Sequence, residues 1–406
     1  MGGFRPPQYG EENIEVSVAR SGLEVFLDDV NRWQGARIGI CCNHTAVTRD
    51  LEHILPAVQR SGLSVARMFA PEHGVDALAQ DMITVEDEGS RVPVISLYGD
   101  SAASLRPDPH LLSDLDVVLF DIQDIGARYY TYQATLGYLM EVAATTGTEV
   151  VVLDRPNPID GVSVEGNVVN PGFESFVSAY PLAVRHGMTM GEMGQFFRDD
   201  QKIDCQLSIV ACEGWHRDQW LDDTDLPWVF PSPNMPTLEC AAIYPGMCLI
   251  EGTNLSEGRG TTRPFHLIGA PWMDRERFTD LCIKGSAEAG LRGVLFRAAS
   301  FEPRFQKHAG LPCHGTEVFV SDRNAMEPYL LGLVMLEAAL RTAPEKFRWR
   351  TETYEFVDDP IAIDLLTGSA EVRVGLESRM RPRELMDGWA PERAEWMERR
   401  AEALIY

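Results

Sequence analysis

A doubly wound, mostly parallel α/β sheet followed by a smaller α+β unit is the fold this sequence predicts. Three observations carry that reading. Short apolar runs alternate with helix-period segments through the N-terminal half, the pattern of a sheet built from strand–helix–strand units. The runs are apolar on both faces, as strands covered by helices on both sides must be. The alternation then breaks at a proline-rich stretch, beyond which strands and helices follow no regular order.

Residues 1–17 are polar and rich in proline and glycine, and read as a loose arm. From Gly22 to Trp33 the apolar side chains Leu23, Phe26, Leu27, Val30 and Trp33 recur at helical spacing. Strands are expected at Ala36–Cys42, Ser64–Ala70, Val92–Tyr98, Asp116–Phe120 and Glu149–Leu153. The stretch Pro227–Pro236 holds four prolines in ten residues, which forbids regular structure. It divides a main domain over 18–236 from a smaller one over 237–406. In the second part Met247–Ile250, Gly293–Phe301 and Thr316–Ser321 look like strands, and Ala325–Leu340 like a helix. A charged helix near Pro391–Leu404 closes the chain, with its proline in the first turn, where a missing N–H costs nothing.

Composition narrows the function. The 406 residues are 45% hydrophobic and 24% charged, enough for two or three domains with cores of their own. Thirty-six basic against 61 acidic residues leave a net charge of −25, so phosphate backbones and anionic bilayers find no general attraction here. Neither nucleic acid nor a membrane is an expected partner. The N-terminus lacks the basic and apolar regions of a secretion signal, and no run approaches the roughly 18 apolar residues of a membrane span. The eight cysteines form no CxxC pair and read as reduced core residues of a cytoplasmic protein.

The chemistry collects after the strands, where open parallel sheets bind their ligands. Asn43-His44 follows the first predicted strand and Pro71-Glu72-His73-Gly74 the second. Asp121, Gln123, Asp124, Arg128 and Tyr129 follow the fourth, and Asp154-Arg155-Pro156-Asn157 the fifth. A second polar cluster, Glu251–Pro264, contains Asn254, Glu257, Arg259, Thr262 and Arg263 in a glycine-rich loop without phosphate-loop spacing. With no GxxxxGK[ST] and no GxGxxG, no nucleotide cofactor is expected. His44, His73, His186, His308 and His314 lack metal-ligand spacing, so no metal is expected, and no GxSxG elbow supports a serine hydrolase.

Glu72 is the leading acid/base candidate, with His73 beside it in a turn set by Pro71 and Gly74. Glycoside hydrolysis needs a carboxylic acid for the leaving oxygen and a second group for the cation-like sugar carbon. Asp121, Asp124, Asp154, Glu251 and Glu257 are the candidates for that second role. Inverting, retaining and substrate-assisted routes are all open, as is the oligomeric state. Arg259 and Arg263 are suited to an anionic group of the substrate, with Arg128 a third cation inside these clusters.

These motifs resemble a known family. FAPEHG (Phe69–Gly74), SLYG (Ser96–Gly99), FDIQDIGARYYTY (Phe120–Tyr132), LDRPNP (Leu153–Pro158), EGTNLSEGRGTTRPF (Glu251–Phe265) and FQKHAG (Phe305–Gly310) are similar, in order, to those of the exo-β-N-acetylmuramidase NamZ family. The resemblance implies a Rossmann-like main domain, a smaller domain closing a cleft, and no cofactor. It also implies a small carbohydrate substrate, with N-acetylmuramic acid released from the non-reducing end of peptidoglycan fragments. The family's catalytic glutamate falls on Glu72, and Glu251, Asp121 and Asp154 stand as second-group or binding residues. One departure is visible: the family continues its EHG with Phe-Arg-Gly, where this chain has Val75-Asp76-Ala77. That difference feeds two alternatives, a glycosidase for another amino sugar or acidic glycoside, and a sugar-binding protein without turnover.

Overall fold

A computed structural model describes residues 18–72, 74, 92–99 and 101–406. The N-terminal arm, His73 and Val75-Asp76-Ala77 lie outside the described residues.

Six strands form one parallel sheet: β1 (Arg37–Cys42), β2 (Ser64–Ala70), β3 (Val94–Ser96), β4 (Val117–Asp121), β5 (Glu149–Leu153) and β6 (Leu207–Val210), in the order β3-β2-β1-β4-β5-β6. The order reverses between β1 and β4, where Cys42 pairs with Asp121. In open α/β sheets such a switch point is where ligands bind. Alternation sorts the strand residues onto two faces. Ile38, Ile40, Cys42, Val117, Leu119, Val151 and Leu153 pack with Leu23, Phe26 and Trp33. Cys41, Val118, Phe120, Val150 and Val152 point the other way, into a larger apolar cluster.

That larger cluster runs without a break into Met247, Leu249, Leu330 and Leu333, so the sheet and the C-terminal part share one core. The C-terminal part adds a three-stranded antiparallel sheet, β7 (Leu267–Ala270), β8 (Val294–Phe301) and β9 (Cys313–Val320), ordered β7-β9-β8. Its helices Leu238–Met247 and Pro328–Thr342 cross at two glycines. A Cβ on Gly246 would stand 1.7 Å from the Pro328 carbonyl oxygen, and one on Gly332 2.3 Å from that of Gly246. Only bare backbones fit there.

Several elements differ from expectation. Met247–Ile250 ends one helix and opens a 3-10 turn over Cys248–Gly252 rather than forming a strand. It is buried on every side, and a short apolar run carries no periodicity that separates strand from helix. The first helix stops at Asp28, capped by a Ser21–Glu24 box at its start, and Asn31–Trp33 is a separate 3-10 turn. The third strand shrinks to Val94–Ser96. Strands β6 and β7, four residues each, are too short to announce themselves in sequence. The closing helix spans Ala390–Ala401 with Pro391 in its first turn.

Candidate active site

Strand β2 delivers Glu72. The Gly74 N–H donates to the Pro71 carbonyl at 3.0 Å, closing a tight turn with Gly74 at φ 80°, a left-handed value that favours glycine. The carboxyl of Glu72 is buried and accepts the Thr131 hydroxyl proton at 2.6 Å on Oε2. Thr131 stands just before the helix Tyr132–Thr146 and spends its hydroxyl on Glu72 rather than on a cap, so the loop after β4 holds the acid that β2 presents. Burial raises the pKa of Glu72 and Glu251 raises it further, while Thr131 and Arg259 pull the other way. A carboxylic acid in such a setting keeps its proton to higher pH than a solvated one.

The 251–265 loop contributes Glu251, Arg259 and Phe265 to the same cavity as Glu72. Glu251 sits in the 3-10 turn that follows the helix Leu238–Met247. Its Oε1 meets Arg259, and its Oε2 accepts the Tyr354 hydroxyl at 3.1 Å. Arg259 also reaches Glu257 through Nε at 3.1 Å, and the Lys307 ammonium meets the other oxygen of Glu257 at 2.9 Å. Together these cations hold Glu257 below the usual carboxylate range despite its burial. Gly260, at φ 74°, lets the loop pass against its neighbour, since a Cβ there would lie 2.5 Å from the Phe305 nitrogen.

Glu72, Glu251 and Arg259 line one cavity, closed by Tyr129, Tyr130, Tyr132, Tyr244 and Phe265. Sequence reasoning missed the polar wall residues Ser232, Tyr244, Tyr354 and Glu355 and the apolar Val177 and Met235. Glu355 is a third buried carboxylate; its Oε2 accepts the hydroxyl of Tyr98, from the SLYG motif, at 3.3 Å. Glu355 and Phe356 adopt φ values of 46° and 66°, a costly conformation for non-glycine residues that gathers at functional sites. No local pattern marked Glu355, although SLYG already marked its partner.

Other candidates fall into the framework around this cavity. Asp121 is gripped by Arg155 through both oxygens, at 2.5 and 3.0 Å, at the point where the strand order reverses. Asp154 accepts four bonds, from the Arg155 and Gly191 amides, the Thr189 hydroxyl and the Tyr406 hydroxyl. Burial pushes it up to about 6. Neither lines the cavity with Glu72. Asn43 bridges its own turn to the Tyr132 hydroxyl, and His44 meets the Phe230 carbonyl at 2.6 Å. Gln123 donates to the Asp124 and Pro156 carbonyls, Asp124 accepts the Gly126 amide, and Asn157 ties Ile159 to Met188.

Of the three arginines expected to face substrate, only Arg259 lines the cavity. Arg128 is fully buried and donates to the Asn167, Leu182 and Leu366 carbonyls. Arg263 is held by Glu239 and Glu317, and Thr262 points to solvent. Asn254 ties its loop to the Lys346 carbonyl and the Arg348 amide. Tyr129 both lines the cavity and donates its hydroxyl proton to the Pro245 carbonyl. Among the described residues no group of three or more His, Cys, Asp or Glu side chains could hold a metal ion.

Carboxyl groups in such unlike settings, one with its pKa raised by burial and one fixed by an arginine, inside an aromatic wall, fit a glycoside hydrolase built on an α/β fold. Comparison with known proteins narrows that class. The family models described as exo-beta-N-acetylmuramidase NamZ match residues 38–239 with the N-terminal part and 242–406 with the C-terminal part. The chain belongs to this family. It is 38% identical, over 98% of its length and 94% of the relative's, to the peptidoglycan beta-N-acetylmuramidase NamZ of Bacillus subtilis strain 168. Two Bacteroides fragilis crystal structures, both described as DUF1343 family proteins, share the fold. One has a TM-score of 0.83 at 30% identity, the other 0.73 at 26%, each covering 96% of this chain and 99% of its own.

Proposed function

We propose that this chain is an exo-β-N-acetylmuramidase that releases N-acetylmuramic acid from the non-reducing end of peptidoglycan fragments. The observation that carries the reading is Glu72, a buried acid held by Thr131 in the same cavity as the Glu251–Arg259 pair. In this reading the protonated Glu72 gives its proton to the glycosidic oxygen as the bond to the sugar carbon breaks. Glu251 supplies negative charge to the cation-like carbon of the transition state, and water adds there to complete the hydrolysis. The deprotonated Glu72 regains its proton from that water. Aromatic walls of the cavity offer faces for the sugar ring, and Arg259 is the cavity's cation for a lactyl carboxylate.

The eight cysteines, all buried and none in a disulfide, support a reducing, cytoplasmic setting. No helix of the described residues is long and apolar enough to cross a membrane. The test is product identification: incubate the protein with N-acetylmuramyl-N-acetylglucosamine and with the disaccharide of reversed order. Free N-acetylmuramic acid from the first and nothing from the second is the expected result. Cleavage of the second alone would move the activity to another amino sugar.

A further inference from the structure

Beside the candidate active site lies a second, larger cavity of about 750 Å³, with Glu251 as a shared wall. Its lining includes Lys307 and His308 of the FQKHAG motif, and Arg348, Trp349 and Arg350, none of which the proposed chemistry uses. The backbone binds this set to the Glu251 loop. Thr253 bridges Trp349 in antiparallel fashion, the Arg350 amide donates to the Gly252 carbonyl at 2.9 Å, and the Asn254 amide to the Arg348 carbonyl at 3.0 Å. From the other side, Lys307 donates to the Ile250 and Thr253 carbonyls at 3.0 and 3.2 Å, and a ring nitrogen of His308 meets the Asn254 carbonyl at 2.8 Å. Gln306 and His308 hold φ values of 57° and 61°, strain that this clamping sustains.

The charges there are unevenly committed. Lys307 is spent on Glu257. Among the described residues the Arg348 guanidinium donates only to the Phe347 and Glu345 carbonyls, and that of Arg350 lies 4.9 Å over the Tyr354 ring and reaches the Thr353 carbonyl at 3.5 Å. Among the described residues neither meets a carboxylate, in a chain whose net charge is −25. Between them Trp349 is fixed by its indole N–H on Glu377 at 2.8 Å. An aromatic ring flanked by two guanidiniums that meet no carboxylate among the described residues, even with Glu352 on the same wall, is chemistry for a sugar that carries a carboxylate.

We infer that the second cavity binds the leaving-group side of the substrate, an amino-sugar chain bearing a carboxylate, with Trp349 against a ring and Arg348 and Arg350 on the anion. The inference rests on the glycosidase reading, and its test separates the two. Kinetics compare the trisaccharide N-acetylmuramyl-N-acetylglucosaminyl-N-acetylmuramic acid with the same trisaccharide methyl-esterified at its reducing-end carboxylate. For the wild type the ester's KM is about tenfold above the acid's. In the Arg348→Ala/Arg350→Ala double variant that ratio falls to about one, and Arg348→Lys/Arg350→Lys restores part of it. A ratio near one in the wild type, or an unchanged ratio in the alanine variant, overturns the inference.

A binding arm needs no turnover. N-acetylglucosaminyl-N-acetylmuramic acid, whose non-reducing end is not the proposed substrate, is titrated calorimetrically into Glu72→Gln protein. Affinity that drops about tenfold with Arg348→Ala/Arg350→Ala and again with Trp349→Ala supports the site even if the protein hydrolyses nothing. Equal affinity in all three proteins refutes it, whatever the hydrolysis assay shows.

Discussion

Replacing Arg259 by methionine tests the electrostatics that join the two sides of the cavity. Its guanidinium meets Glu251 and Glu257, and all three side chains are about nine-tenths buried or more. At about 3 Å and an effective dielectric near 20, each contact is worth roughly 5 kcal/mol before desolvation. Desolvation of the guanidinium offsets much of that sum. Among the described residues Glu257 keeps Lys307, whereas Glu251 keeps only the Tyr354 hydroxyl. One carboxylate is therefore stranded, and breaking such a buried pair costs about 3–5 kcal/mol. Chemical denaturation at pH 7 reads that loss directly. The added substitution Glu251→Gln removes the stranded charge and should recover about half of it. Arg259 also lowers the pKa of Glu72, so in the variant the acid holds its proton longer and the alkaline limb of the rate profile moves to higher pH. A stability loss under about 1 kcal/mol, or a limb that moves to lower pH, would refute the reasoning.

Three other outcomes follow from named contacts. Tyr406→Phe removes the hydroxyl that donates to Asp154 and accepts the Cys212 amide, and should cost about 1–3 kcal/mol in denaturation because both partners stay buried. Asp154 binds its proton more tightly folded than unfolded, its pKa raised from 3.8 to about 6, so its contribution is fully present below the lower value and lost as pH rises through the higher. The stability of wild type relative to Asp154→Asn should accordingly fall by up to about 3 kcal/mol between pH 4 and pH 7, measured as paired denaturation curves; a flat difference would contradict the raised value. Glu355→Gln removes a carboxylate from the cavity wall while an amide oxygen can still accept the Tyr98 hydroxyl, and should lower kcat on the muramyl disaccharide at least about tenfold, read as release of free N-acetylmuramic acid.

Much of this was legible in the sequence because it depends on local pattern. Two-sided apolar runs gave the parallel strands, and polar residues just past them gave Glu72. The loop rich in glycine marked Glu251 and Arg259 before any contact was known. What stayed hidden depends on pairing between distant segments. Asp121 and Asp154 look as eligible as Glu72, and only the fold shows that Arg155 occupies one while Thr189, Gly191 and Tyr406 saturate the other. Arg128 and Arg263 resemble Arg259 in sequence yet end on carbonyls and on Glu317. Glu355 reaches the cavity by a left-handed turn at non-glycine residues, a conformation that composition does not announce.

The central claim is that Glu72 acts as the general acid, and the most direct test varies the leaving group. A nitrophenolate departs with little proton assistance, whereas a sugar alkoxide needs it. Rates of wild type and Glu72→Gln are compared on 4-nitrophenyl β-N-acetylmuramide and on N-acetylmuramyl-N-acetylglucosamine. The account predicts a loss of about 10²–10⁴-fold on the disaccharide and a much smaller one on the nitrophenyl glycoside. Equal losses on the two substrates, or an undiminished rate on the disaccharide, would contradict it.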